Sequence, residues 1–373
     1  MNNLLERYKE ELRKLEDSGN LRSLKKISDK DFKVNLSSND YLGVRKKNIP
    51  RPKGNAFGSG SSRLLTGNFQ EYDMLETELE KLYTRSALFF NSGYHANIGI
   101  LSALSGKGDL ILSDKLNHAS IIDGIRLSNA ENMRFRHLDY KHLETILQSK
   151  RDQYDRVFIV SESIFSMDGD EANLFRLIEL KKQYNCFLYL DEAHSLGVRG
   201  EKGLGLAEEL NLMHEIDLLV GTFGKAMNSI GAFVICDSII KKYLINRMRS
   251  LIFTTALPPI VVSWNIIMLR TIIKMRIERE HVMSLAKKLR DKLMELGLKT
   301  DGNSNIVPVI IGDSQKCVNL AEYLQKKGFL VFPIRPPAVP VGTSRLRLSI
   351  CADMDWEDLQ DVPKLIKEYC NEN

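Results

Sequence analysis

The chain is short of paired cysteines, of long apolar runs and of any surplus of one charge, and each shortage removes a class of protein. Its five cysteines (Cys186, Cys236, Cys317, Cys351 and Cys370) form no CxxC pair and no regular framework. No disulfide scaffold is therefore expected, and a reducing, cytoplasmic setting is. The most apolar stretch, "LPPIVVSWNIIML" (257–269), is too short to cross a bilayer and holds Asn265. The N-terminal "MNNLLERYKEELRKLEDSG" is charged throughout and lacks the apolar core of an export signal. Leu4, Leu5, Tyr8, Leu12 and Leu15 recur there at helical spacing and predict an amphipathic surface helix. With 53 basic and 48 acidic residues the formal charge is +5, too mild and too scattered to point to nucleic acid. No repeat and no low-complexity segment is present.

What is present is a globular composition, 43% hydrophobic and 27% charged, in a chain of 373 residues. From about residue 86 to 237, apolar runs such as "ALFFNSG", "DLILSD", "RVFIVSES", "CFLYLDEAH", "DLLVGTFGK" and "GAFVICD" alternate with helix-like segments. That alternation predicts an α/β domain with a mostly parallel sheet. A long helical stretch follows, "SWNIIMLRTIIKMRIEREHVMSLAKKLRDKLMELG", then "NIVPVIIG", a helix over 314–327, "FLVFPIR", "RLRLSIC" and a last helix near 355–371. The expected division is an N-terminal helix and arm (1–45), a large domain (46–238), and an interdomain helix with a small C-terminal α/β lobe (239–373). In such sheets the ligand sits beyond the carboxyl ends of the strands. Those ends read Asn91-Ser92-Gly93, Ser113-Asp114, Ser161-Glu162, Asp191-Glu192 and Gly221-Thr222.

The stretch "FLYLDEAHSLGV" (187–198) runs an apolar strand into Asp191, Glu192 and His194, and three chemistries use such a pattern. A nucleotide-driven motor also needs a GxxxxGK[ST] loop, but "LVGTFGKA" has Leu219 at the first glycine and Ala226 after the lysine. A metal site needs three or four ligands. Asp191 and His194 could supply two, but the remaining histidines form no HxH or HxxxH pair, so no metal is expected. Pyridoxal phosphate needs a lysine for a Schiff base, an acid for its pyridinium nitrogen and a cradle for its phosphate. Lys225 follows one strand end, Asp191 closes another, and "NSGYHAN" (91–97) ends a strand and opens a helix whose N–H groups suit a phosphate.

These residues carry a resemblance. With "SNDYLG" (38–43), "GSGSSRLLTGN" (58–68), "LNHASIIDG" (116–124), "ESIFSMDGD" (162–170), "LDEAHSLGVRGEKGLG" (190–205), "TFGKA" (222–226) and "RPPAVPVGTSRLRLS" (335–349), the chain resembles the α-oxoamine synthases. These are fold-type-I pyridoxal-phosphate enzymes that condense an amino acid with an acyl-CoA thioester and lose carbon dioxide. The segments span nearly the whole chain in the family's order. The resemblance implies an α/β transferase with a mostly parallel large-domain sheet and a smaller C-terminal α/β lobe.

It also implies roles. Lys225 would bond the cofactor and take the substrate's α-proton; a surface lysine in a turn is the plain alternative. Asp191 would pair with the ring nitrogen and His194 with the phenolic oxygen, against a capping acid and a loop histidine. His118 would stack on the ring, and Ser166 is similar to the family's site serine, or simply a helix cap. The backbone amides of Gly93 and Tyr94, with the Thr222 hydroxyl, would hold the phosphate. Thr254 or Thr255 would reach a phosphate across the interface of a homodimer with shared sites. Alternation puts Arg345, Arg347 and Ser349 on one strand face, and spacing alone does not choose between the arginines. The family pattern picks Arg347 for the substrate carboxylate, with Asn39 as a second contact. Arg22 lies where relatives place an arginine near the acyl entrance, and a surface arginine fits the same short match.

Within the family, "RPPAVPVGTSRLRLS" and "GSGSSRLLTGN" are most similar to the branch that joins alanine to pimeloyl-CoA, or to a pimeloyl carrier protein, making 8-amino-7-oxononanoate for biotin. Other branches use glycine with acetyl-CoA or serine with palmitoyl-CoA, and some relatives are non-catalytic partner subunits. Two departures stand out: Ala338 replaces a threonine in "RPPxVP", and Met227-Asn228 replaces leucine-glycine.

Overall fold

The computed structural model describes residues 3–28, 31–54 and 56–372. Helix α1 (Asn3–Asp17) and the short strand β1 (Val34–Asn35) come first. Then follow α2 (Gln70–Tyr83), β2 (Ser86–Phe90), α3 (Gly93–Leu104), β3 (Asp109–Asp114), α4 (Ala119–Leu127) and β4 (Glu131–Phe135). Next are α5 (Tyr140–Lys150), β5 (Arg156–Glu162), α6 (Leu174–Gln183), β6 (Phe187–Asp191), α7 (Leu206–Glu209), β7 (Leu218–Thr222) and β8 (Ala232–Cys236). Strands β2 to β8 form one seven-stranded sheet in the order β2-β8-β7-β6-β5-β3-β4, in which β8 alone runs against its neighbours. Strands β3, β7 and β8 are buried along their whole length, as expected of strands covered on both faces. Ile100 of α3 and Ile121 of α4 pack with Ile111, Val160 and Val220 of the sheet, each such burial contributing roughly 1.5–3 kcal/mol.

The rest of the chain is α8 (Ser238–Arg247), α9 (Arg249–Ile252), α10 (Pro259–Ile272), α11 (Arg276–Glu295), β9 (Ile306–Gly312), α12 (Ser314–Lys326), β10 (Phe329–Leu330), β11 (Pro333–Ile334), β12 (Ser344–Ser349), α13 (Trp356–Leu359) and α14 (Val362–Glu372). Strand β12 lies between β11 and β9, antiparallel to both, and β1 pairs parallel with β10. The long helical stretch expected after residue 263 is two helices. The Arg279 guanidinium donates to the carbonyls of Ile272 and Ile273, satisfying the C-terminal end of α10 with a side chain. The last expected helix is likewise split into α13 and α14, with Pro363 in the first turn of α14, where a missing N–H costs nothing.

The chain divides into two compact units. One comprises Leu42–Phe165 with Glu171–Arg279; the other comprises the residues up to Tyr41, Ser166–Asp170 and those from Glu280 onward. The boundary expected near residue 238 thus falls inside the sheet-bearing unit. The reason is packing: α8 and α9 lie on α3, and α10 lies on α2. No helix among the described residues is long and apolar enough to cross a membrane.

Candidate active site

Strands β5, β6 and β7 end in Glu162, Asp191 and Thr222, and beyond these ends opens a cavity of about 200 Å³. Gly93, Tyr94, His118, Asp191, Thr222 and Lys225, all expected from sequence, share its wall. Asn97, Ser120 and Glu162 line it as well.

Asp191 is buried, and both of its carboxylate oxygens are held. The Ala193 N–H donates to Oδ1 at 2.8 Å, and Asn97 Nδ2 donates to Oδ2 at 2.8 Å. Asn97 is in turn fixed by the Tyr189 hydroxyl, which donates to its Oδ1, and its amide also donates to Ser120 Oγ at 2.9 Å. The sequence signal for Asn97 was available: it lies four residues after Gly93, on the same helix face.

His118 caps α4. Its Nδ1 accepts the Ser120 N–H at 3.2 Å and lies 2.7 Å from Ser120 Oγ, while its own N–H donates to Glu162 Oε1 at 2.6 Å. The ring remains open to the cavity. The protein packed around it holds the imidazole below its ordinary value, with the charge of Asp191 opposing and that of Lys225 reinforcing. Burial pushes the Glu162 carboxyl well above its ordinary value, and the negative charge of Asp191 pushes the same way.

At the other side of the cavity, Gly93 and Tyr94 are the first two residues of α3, where N–H groups have no helical acceptor. Ser92 caps this helix by accepting the His95 N–H. Thr222 Oγ1 donates to the Gly231 carbonyl at 3.0 Å and accepts the Gly224 N–H at 3.2 Å. Lys225 begins a turn closed by the Asn228 N–H on its carbonyl at 2.7 Å. Asn228 has φ 44°, a left-handed conformation that asparagine tolerates and glycine adopts freely, which accounts for this replacement.

Other expected residues lie off this wall. His194 is buried in the turn after β6. Thr254 and Thr255 sit between α9 and α10, where the Thr255 carbonyl accepts from Asn91 Nδ2 at 2.7 Å. Ser166 belongs to the second unit and stands in a turn rather than capping a helix. The donor set of the cavity nonetheless fits pyridoxal phosphate: a fixed carboxylate, a lysine, an open imidazole, and a helix N-terminus beside a hydroxyl.

In the second unit, β12 carries both arginines, buried, with Leu346 and Leu348 on the other face. They differ in their partners. Arg345 is ion-paired with Asp168. Arg347 is 9% exposed and, among the described residues, bonds neutral groups: the Ser166 carbonyl, Asn39 Oδ1, Ser349 Oγ and the Tyr41 hydroxyl. Arg22 is exposed and donates to the Pro336 carbonyl at 3.1 Å. The exposed Ala338 closes the same turn, its N–H donating to the Arg335 carbonyl at 3.0 Å.

A family model for aminotransferase class I and II matches residues 31–365. The chain is 50% identical over 343 residues to the 8-amino-7-oxononanoate synthase of Chlorobaculum parvum, covering 87% of this chain and 86% of that protein. Among solved structures it is similar to a serine palmitoyltransferase from S. paucimobilis with bound PLP (TM-score 0.87, 30% identity, 99% of this chain and 98% of that one). It is similar as well to an 8-amino-7-oxononanoate synthase from Francisella tularensis (TM-score 0.77, 27% identity, 91% and 98%).

Proposed function

Because the chain belongs to the aminotransferase class I and II family and, within it, to the α-oxoamine synthases, we propose that it joins L-alanine to a pimeloyl thioester. The products are 8-amino-7-oxononanoate, carbon dioxide and the free thiol of CoA or of a carrier protein, a step of biotin synthesis. The observation that carries this reading is the meeting of Lys225, Asp191, His118, Thr222 and the start of α3 around one cavity. The branch rests on the 50% identity, over 87% of this chain, to the 8-amino-7-oxononanoate synthase of Chlorobaculum parvum.

When bound, pyridoxal phosphate supplies an electron sink for charge released at the amino acid's α-carbon. Asp191, with both oxygens already anchored, would keep a proton on the ring nitrogen. The N–H groups of Gly93 and Tyr94 and the Thr222 hydroxyl would bind the phosphate. Lys225 Nζ would attach the cofactor and then carry the α-proton of alanine. His118 would lie along the ring and His194 would bond the phenolic oxygen. Arg347, a buried cation that is bonded to neutral groups among the described residues, would take the alanine carboxylate together with Asn39. Arg22 and the turn at Ala338 would meet the acyl group.

Assembly as a homodimer is part of the proposal. Ser59 Oγ donates to the Ala256 carbonyl and the Ala256 N–H to the Ser61 carbonyl, so the loops bearing Phe57, Leu64, Leu65 and Phe253 are tied together. All four side chains are exposed, an apolar surface of the kind a partner covers.

The test is a panel of alanine, glycine and serine against pimeloyl-, acetyl- and palmitoyl-CoA, with products identified by mass. Alanine with pimeloyl-CoA should give the highest kcat/KM. A win for glycine with acetyl-CoA overturns the branch, and no thiol release from any pair overturns the synthase reading.

A further inference from the structure

Five residues around the cavity are joined in a hydrogen-bonded chain whose two ends are carboxyls on neighbouring strands. Glu162 Oε1 accepts the His118 N–H; His118 Nδ1 meets Ser120; Ser120 Oγ accepts from Asn97 Nδ2; Asn97 donates to Asp191. Asp191 stands beside Glu162 by register, because the two are paired residues at the tips of β6 and β5.

We infer that Glu162 is a positioning residue for His118, and that the hydrogen-bonded chain running from it through Ser120 and Asn97 to Asp191 leaves the imidazole neutral, with its proton on Nε2. The tautomer follows from donors. The Ser120 backbone N–H can only donate, so His118 Nδ1 is an acceptor, and the Ser120 hydroxyl beside it turns its hydrogen to the same nitrogen while its oxygen accepts from Asn97. An Nδ1 that accepts leaves Nε2 protonated, as a hydrogen-bond donor on the cavity wall.

The protonation of Glu162 follows from its neighbours. Two buried carboxyls opposite each other on adjacent strands do not both ionise when one has the better donors. Asp191 has an N–H on each oxygen, whereas Glu162 receives one, from His118. The charges that act on Glu162 are those of Asp191 and Asp114, which push its carboxyl up, and of Lys225, which pulls it down, as does the hydrogen bond from the His118 backbone N–H. Burial and the charge of Asp191 therefore both favour the protonated form of Glu162. Glu162 fixes the backbone of His118 while Ser120 fixes the ring.

The inference rests on the synthase reading and is tested on the full-length protein. Glu162→Gln and Glu162→Ala are made in the wild type and in His118→Ala, and each is measured for cofactor affinity, kcat and melting temperature. Glutamine is neutral and accepts the same N–H, so kcat and cofactor affinity should stay within about threefold. Glu162→Ala should lose about thirtyfold in kcat and about tenfold in cofactor affinity, and both losses should shrink below about threefold in the His118→Ala background. Its loss of melting temperature should persist in both backgrounds, because the bond is to the His118 backbone. Equal losses of activity in both backgrounds overturn the inference, as does a Glu162→Gln variant impaired more than about tenfold. The glutamine variant decides the matter if Glu162→Ala does not fold. A wild type that binds no pyridoxal phosphate overturns the synthase reading instead.

Discussion

Asn97 Nδ2 lies 2.8 Å from Asp191 Oδ2, tying helix α3 to the tip of β6. The same helix begins at Gly93 and Tyr94 on the cavity wall, so one element carries both the anchor of Asp191 and the proposed phosphate cradle. A hydrogen bond to a charged, buried carboxylate contributes roughly 1.5–3 kcal/mol. Asn97→Ala should therefore weaken pyridoxal phosphate binding by about ten- to a hundredfold while the melting temperature of the cofactor-free protein changes little. Titration of the cofactor-free variant measures this, and unchanged affinity would detach Asn97 from the role.

Among the described residues Lys225 is the one lysine on the cavity wall. Borohydride treatment of the purified protein should fix pyridoxal phosphate on the peptide that contains it, and Lys225→Ala should lose at least about a thousandfold in turnover. Peptide mapping decides: label on another lysine removes Lys225 from the reaction.

Glu162 gives the site a pH signature. Its carboxyl is pushed above the ordinary 4.5 in the folded chain, chiefly by burial. Above about pH 4.5 the unfolded chain releases this proton and the folded chain keeps it. The folded state thus binds more protons, and stability falls as pH rises toward the folded value, by up to about 1.4 kcal/mol per pH unit. Glu162→Gln lacks that slope. Denaturant unfolding of both proteins from pH 5 to 8 should show the variant gaining on the wild type as pH rises, and parallel curves would show that Glu162 is already ionised.

Much of this was legible in the sequence, for identifiable reasons. Strands covered on both faces must be apolar throughout, so "DLILSD" and "DLLVGTFGK" declared themselves, and the polar residues that follow them had to stand at one edge of the sheet. Asn97 and Glu162 were present in quoted motifs but carried no role, because their part is a hydrogen bond to another element, which spacing does not reveal. The break between α10 and α11 was hidden for the same reason: a guanidinium seven residues after the end of α10 satisfies its carbonyls. The run "FLVFPIR" holds two short strands, and Pro333 stands at the first residue of the second, where a strand tolerates proline.

The two arginines of β12 look alike in sequence and differ in what each change should cost. Arg345 neutralises Asp168, and both are largely buried. Removing one partner of a buried pair strands the other charge and typically costs about 3–5 kcal/mol. Arg345→Ala should therefore act on stability, lowering the melting temperature with little change in the KM for alanine. Among the described residues Arg347 is bonded to neutral partners (Asn39, Ser349, Tyr41 and a carbonyl), so its removal strands no charge there. Its cost should appear when an anion has to be bound. Arg347→Ala should raise the KM for alanine by about a hundredfold, the scale of a two-pronged charge-assisted contact, and leave pyridoxal phosphate bound. Arg347→Lys should recover only part of the loss, because a point charge cannot reproduce the planar fork. Steady-state kinetics and melting curves on the three variants separate the two roles. If Arg345→Ala carries the KM effect and Arg347→Ala the stability effect, the assignment of the carboxylate to Arg347 is reversed.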